Sequence, residues 1–191
     1  MEKEAILDLF RKAGAFLEGH FLLTSGLHSP YYVEKFKLLQ YPQYVERLAQ
    51  AIAEGFRGER VDVVVGPAIG GIVLAYEVAR AFGARMAFTE REEGKMRFRR
   101  DFTLDHEDKV LVVEDVVTTG TSLLEVIEAV REKGASIIGA AVLVDRSGGK
   151  VSLPYPYTPL LTMEMPVYTP EECPLCKESI ALQKRGSRYI A

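Results

Sequence analysis

Residues 110–122, VLVVEDVVTTGTS, constrain the fold more than any other stretch. The run Val110, Leu111, Val112, Val113 is apolar at every position, so it reads as a strand buried on both faces. Glu114 and Asp115 follow it. A Thr/Gly turn then leads into residues 123–133, which have helical apolar spacing and end at Gly134. A strand buried on both faces needs cover on both sides, and helices are the usual cover. Two further segments share this character. Residues 61–65 (VDVVV) form a compact β-branched run, followed by a turn at 66–71 and helical spacing over 72–82. Residues 86–89 and 137–144 read as further strands. The succession strand–helix–strand–helix–strand predicts an α/β fold: a doubly wound, mainly parallel sheet with helices on both faces.

The flanking segments are less regular. Residues 2–13 read as a short amphipathic helix stopped by Gly14, and residues 15–33 as short strands with a hairpin. Pro42 suits the first turn of a helix running to about 56. Residues 90–106 are polar and rich in Arg and Glu, and read as a long exposed loop with room for a short hairpin. After Gly149 the chain turns Pro-rich, then strand-like at PLLTMEM, and Thr169-Pro170-Glu171-Glu172 carries the marks of a helix start.

The chain has 191 residues, 48% hydrophobic and 27% charged, which suits one globular domain. No apolar run approaches the ~18 residues of a membrane helix, and the charged N-terminus lacks the apolar core of a signal peptide. A cytoplasmic protein is expected. The net charge of −3 argues against general nucleic-acid binding. The chain has no Asn, no Trp and only four Gln, as a thermophilic source or a GC-rich genome would leave it.

Ligands of doubly wound sheets bind outside the carboxyl ends of the strands. There the turn Val117, Thr118, Thr119, Gly120, Thr121, Ser122 offers backbone N–H groups, hydroxyls and a helix N-terminus, which suit a phosphate monoester. Glu114 and Asp115 stand beside it, placed to accept hydrogen bonds from sugar hydroxyls. An ordinary helix cap would explain one Thr but not adjacent acids ending a buried strand. The stretch is neither a Walker loop nor a dinucleotide fingerprint. Ala68, Ile69, Gly70 and Gly71, in the turn GPAIGG, are a candidate second anion site, although such turns also occur with no ligand.

Residues 91–100 (REEGKMRFRR) hold five cations against two acids, so a loop here could close over a polyanion or simply be solvated. Cys173 and Cys176 read as half a zinc site, a redox pair or two small buried residues, with packing or an incidental thiol pair preferred. His20, His28 and His106 are scattered and receive no ligand role.

The segment 110–121 resembles the 5-phosphoribosyl-1-pyrophosphate (PRPP) motif of type I phosphoribosyltransferases: apolar strand, two acids, two apolar residues, then Thr-x-Gly-Thr. Residues 21–32 (FLLTSGLHSPYY), 66–72 (GPAIGGI), 91–95 (REEGK) and Asp145-Arg146 are similar to the orotate phosphoribosyltransferases among them. The C-terminal ECPLCKESIALQKRGSR resembles a tail of one bacterial branch. This resemblance implies the type I fold over 1–191, with a hood at about 14–40 plus the C-terminal segment and a core at about 42–150. It also implies Mg²⁺ as cofactor and displacement of pyrophosphate from PRPP by orotate. PRPP would be held by Ala68, Ile69, Gly70, Gly71, Glu114, Asp115 and the 117–122 turn. Orotate would meet Tyr31 or Tyr32, Thr118 and Arg146, while Arg91, Lys95 and Arg97 act with the two acids in catalysis. A strained or cis peptide near Ala68-Ile69 is implied too, as is a homodimer in which loop 90–106 completes the neighbour's site. The chain departs from the family where Thr24, Gly70 and Glu92 replace lysines and Arg97 replaces a histidine. A purine-type phosphoribosyltransferase and a nucleotide-sensing regulator on the same fold are the alternatives.

Overall fold

The computed structural model describes residues 1–23 and 25–185, so Thr24 and residues 186–191 lie outside the described residues. Helix α1 (Lys3–Lys12) buries Ile6, Leu9 and Phe10 on one face. Strands β1 (Phe16–Leu22) and β2 (His28–Val33) form the expected antiparallel hairpin, interrupted by an irregularity between Glu18 and Phe21. A short helix α2 (Lys35–Leu39) intervenes before α3 (Pro42–Gly55), which starts at its proline.

The remaining elements alternate. They are β3 (Val63–Pro67), α4 (Gly70–Phe82), β4 (Arg85–Glu92), β5 (Lys95–Phe98), β6 (Lys109–Val117), α5 (Thr121–Glu132), β7 (Ser136–Asp145), β8 (Tyr157–Thr162), α6 (Pro174–Lys177) and β9 (Gln183–Lys184). The main sheet has the order β5-β4-β3-β6-β7-β8, parallel except for β5. A second, smaller sheet has the order β2-β1-β9.

The apolar run that opens β6 is buried on both faces, as its sequence demands. Leu111 and Val113 enter a core with α1, α3 and α4. Val110 and Val112 enter another with Leu123, Val126, Ile127 and Val130 of α5. Each such side chain contributes roughly 1.5–3 kcal/mol by leaving water, so this alternation fixes the register of β6 and with it the position of Glu114 and Asp115.

Three expectations need correction. First, residues 90–98 form the short hairpin for which the sequence left room, so the irregular stretch is only 99–106: β4 runs on to Glu92 and turns back as β5 through Glu93 and Gly94, both with positive φ. The two-residue turn matches the strands' twist. Met96 points inward while Lys95 and Arg97 point out, an alternation hidden by the surrounding charge. Second, β6 continues through the acidic pair to Val117 because Glu114, Val116 and Val117 still pair with β7. Third, Thr169 opens only a turn. The residue before a proline avoids helical backbone, so Cys173 stays extended and α6 begins at Pro174.

Candidate active site

The carboxyl ends of β3, β6 and β7 converge with Lys35, the first residue of α2. Glu114 and Asp115 are both buried on β6. Asp115 Oδ1 accepts hydrogen bonds from its neighbouring Val116 N–H (2.6 Å) and from Lys35 Nζ (3.0 Å), and Nζ lies 2.9 Å from Oδ2. Glu114 makes no ion pair among the described residues, although Lys35 and Arg91 act on it from further off. Burial first, and the Asp115 charge second, push its carboxyl up to about 8. Glu114 therefore favours its protonated form at neutral pH.

The turn after β3 lies against the same acid. The Ala68–Ile69 peptide is cis, as the resemblance implies, and Ala68 N–H donates to the Thr89 carbonyl (2.8 Å). A Cβ on Gly70 would stand 1.7 Å from Asp115 Oδ2, so only glycine lets the start of α4 approach the carboxylate. Ile69 is left 69% exposed at the rim.

Beyond β6, Thr118 and Thr119 face solvent and Gly120 adopts the left-handed conformation at φ 81°, opening α5 at Thr121. The N–H groups of this first turn lack intrahelical partners by construction. The Thr119 and Thr121 hydroxyls lie 2.9 Å apart. Ser122 is half-buried behind them. Open N–H groups, a helix N-terminus and two hydroxyls make a phosphate cradle.

At the end of β7, Arg146 N–H donates to the Val117 carbonyl (2.8 Å), which fixes Arg146 beside the cradle. Its Nε is buried without a hydrogen-bond partner among the described residues. Burial pushes the guanidinium down, and the nearby Tyr32 hydroxyl acts against that shift. Tyr32 also packs on Phe21 at 5.5 Å between ring centroids. Tyr31, alternating with it, is 42% exposed. Of the two tyrosines, the structure brings only Tyr32 to Arg146.

The hairpin cations are not gathered on the acids. Arg91 forks onto Glu125 of α5 and also donates to the Gly94 carbonyl (2.6 Å). Arg97 and Arg99 lie 3.8 Å and 3.5 Å from Glu92, and Arg100 pairs with Glu90 at 2.9 Å. The positive excess seen along residues 91–100 is thus largely matched by neighbouring acids. Lys95 is exposed and makes no ion pair among the described residues. Lys35 escaped the sequence reading. It stands 80 residues from Asp115, in a segment whose spacing carries no chemical signature.

A family model described as Phosphoribosyl transferase domain matches residues 37–167. The orotate phosphoribosyltransferase of Caldanaerobacter subterraneus subsp. tengcongensis is 52% identical over 190 residues, covering 100% of both chains. The crystal structure of orotate phosphoribosyltransferase from Aeropyrum pernix superposes with a TM-score of 0.69 at 28% identity, over 83% of this chain and 93% of that one. The UMP synthase of Leishmania donovani shares the fold (TM-score 0.72, 23% identity, 85% of this chain), and this chain spans 37% of that longer protein. A phosphate cradle beside paired acids, joined to full-length identity of this order, leaves one conclusion. The chain belongs to the orotate phosphoribosyltransferase family.

Proposed function

We propose that this protein transfers the 5-phosphoribosyl group of PRPP to orotate, giving orotidine 5′-monophosphate and pyrophosphate. The observation that carries the reading is the space at the Thr118–Ser122 cradle, bounded by the buried acidic end of β6 and by Arg146, whose N–H donates to the Val117 carbonyl. One end of that space suits a phosphate, its middle suits sugar hydroxyls, and its far side suits a flat anionic base.

The 5-phosphate sits on the N–H groups of 118–122 and the positive end of α5. Glu114 and Asp115 hold the ribose hydroxyls. Ala68, Ile69, Gly70 and Gly71 bring backbone N–H groups to the pyrophosphate. Arg146 forks onto orotate oxygens, and Thr118 and Tyr32 border the ring. The C1–O bond to pyrophosphate breaks with its electron pair leaving on oxygen, while the orotate ring nitrogen, reacting as its anion, supplies the pair for the new C1–N bond. No side-chain base is needed.

Magnesium fits this site as a hydrated ion. It takes hard oxygen donors and keeps several waters, and the buried Asp115 carboxylate offers Oδ2, whose one polar contact among the described residues is the Lys35 ammonium at 2.9 Å. When bound with PRPP, Mg²⁺ supplies positive charge to the departing pyrophosphate. Arg91, Lys95 and Arg97 add to that charge and exclude water when the β4–β5 hairpin closes. We assign this closure to the site of a partner subunit in a homodimer. It is supported by the ion pairs that occupy Arg91 and Arg97 within their own chain, and by exposed Val73 and Tyr76 beside an apolar groove lined by Leu39, Val45 and Ile72.

Among the described residues no helix is long and apolar enough to cross a membrane. We place the enzyme in the cytoplasm, within pyrimidine synthesis. The test is incubation with Mg²⁺, PRPP and a panel of bases, following the loss of orotate absorbance. Turnover of orotate alone is expected. Turnover of a purine without orotate, or of no base, would overturn the reading.

A further inference from the structure

The two histidines and two cysteines that sequence spacing leaves unrelated meet in the folded chain. His20 and His28 come from the β1–β2 hairpin, Cys173 and Cys176 from the start and body of α6, more than 140 residues later. Their ligand atoms all lie within 4.8 Å of one another. His20 Nε2 is 2.9 Å from His28 Nδ1, 3.4 Å from Cys173 Sγ and 3.7 Å from Cys176 Sγ, and Cys176 Sγ is 3.3 Å from His28 Nδ1. Around a tetrahedral zinc with bonds of about 2.0–2.3 Å, neighbouring ligand atoms stand about 3.3–3.8 Å apart. Of the six separations, three of the four just given fall in that range, the N···N approach reaches it with an opening of about 0.4 Å, and the other two lie within 4.8 Å.

The protonation chemistry points the same way. His20 Nδ1 lies 2.8 Å from the Ile180 carbonyl, which can only accept, so Nδ1 carries the proton and Nε2 presents a lone pair. A backbone carbonyl orienting the far nitrogen is the usual support of a zinc-bound imidazole. His20, His28 and Cys173 are buried, and Cys176 closes the group at its solvent edge. The Nε2 lone pair thus points at a second imidazole and two sulfurs, so four metal-ligating groups converge on one small space.

The surrounding packing explains why a metal would be wanted. From 162 to 185, Cys173 is the one fully buried residue, Met163 and Met165 at the start of the segment are half-buried against the main core, and α6 itself buries no side chain. The segment touches the small sheet through two residues of β9, the His28–Tyr168 bridge, the Ser29 hydroxyl donating to the Pro166 carbonyl (2.9 Å) and the His20 ring on the Ile180 carbonyl. So little apolar burial does not ordinarily hold 24 residues in place.

We propose that His20, His28, Cys173 and Cys176 bind one structural zinc ion per chain, stitching the C-terminal segment to the hairpin that carries Tyr32. The site has four protein ligands and no open position, so its role is structural.

The test uses full-length protein without a histidine tag, kept reduced and purified without chelator. About one zinc per chain is expected by elemental analysis. After chelator treatment, titration with Co²⁺ should give the visible bands of tetrahedral cobalt and a thiolate charge-transfer band, saturating near one equivalent and bleached by Zn²⁺. Cys176→Ser should lose the wild-type spectrum, while His106→Ala, remote from the cluster, should keep it. Less than about a tenth of an equivalent of zinc together with no tetrahedral cobalt spectrum would overturn the site. So would a Cys176→Ser spectrum identical to wild type. The wild-type titration decides even where the serine variant fails to fold, and none of these readouts depends on catalysis.

Discussion

Lys35 and Asp115, far apart in the chain, form an ion pair at 2.9 Å that joins helix α2 to the acidic end of β6. Asp115 is almost wholly buried and Lys35 about a third exposed, so the pair lies between the surface and interior cases. Lys35→Met leaves a buried carboxylate without its cation. The expected cost is about 2 kcal/mol, a fall in Tm of roughly 4–8 °C. Asp115→Asn should cut turnover strongly and also lower Tm, and the double variant should be less destabilised than the sum of the two. Additive losses in a thermal-melt double-mutant cycle would show that the pair contributes no coupling.

Gly70 is the steric counterpart of that pair. Alanine here collides with Asp115 Oδ2, so the loop or the carboxylate must move. Gly70→Ala should lower kcat/KM at least about tenfold, because misplacing a binding group by about 1 Å has effects of this size. Gly55→Ala is the control: its Cβ would meet only Thr158 Cγ2 at 3.4 Å, an ordinary contact. Equal kinetics for both variants would contradict the close approach.

Glu114 gives the substrate-free protein a distinctive pH dependence. Its carboxyl titrates near 8 when folded against an ordinary value of 4.5. Below about 4.5 both folded and unfolded chains hold the proton and the stabilising contribution is full. As pH rises toward 8 the unfolded chain ionises while the folded one does not, and stability is lost; above 8 the loss is complete. Glu114→Gln cannot ionise. Its Tm should therefore rise relative to wild type between pH 5 and 8.5, by more than about 4 °C. A constant difference across that window would disprove the shift.

Arg146 should behave oppositely to Lys35. Its Nε is buried and unpaired, and burial disfavours its charge in the empty protein. Arg146→Met removes a desolvated cation, so Tm should hold or rise. Orotate KM should rise about 10–100-fold, the value of a charge-assisted hydrogen bond. A lower Tm with unchanged KM would assign Arg146 a purely structural role.

The Arg91–Glu125 pair tests the hairpin. Glu125→Gln removes a partly exposed ion pair and should lower Tm by no more than about 2 °C, with turnover within about twofold of wild type. Arg91→Ala should lower kcat more than about tenfold if the guanidinium meets pyrophosphate during turnover. Equal effects of the two changes on kcat would mean that Arg91 serves only to hold the hairpin to α5.

What the sequence determined by itself is local. Continuous apolar runs fixed the buried parallel strands, and the offset from Val113 to Gly120 fixed acids, turn and helix N-terminus in one unit, because all of them hang on β6 and its register. The same logic made Tyr31 and Tyr32 alternatives and left the choice open, since period two says that one points inward but not which. Tertiary structure decided everything that depends on distant segments meeting. It selected Tyr32 through its approach to Arg146, supplied Lys35 to Asp115, and paired the hairpin's cations with Glu90, Glu92 and Glu125. It also turned scattered His20 and His28 and an unexplained Cys173-x-x-Cys176 into one cluster. Periodicity reports which face a residue shares with its near neighbours. Charge compensation and metal ligation are set by three-dimensional distance, which one-dimensional spacing does not encode.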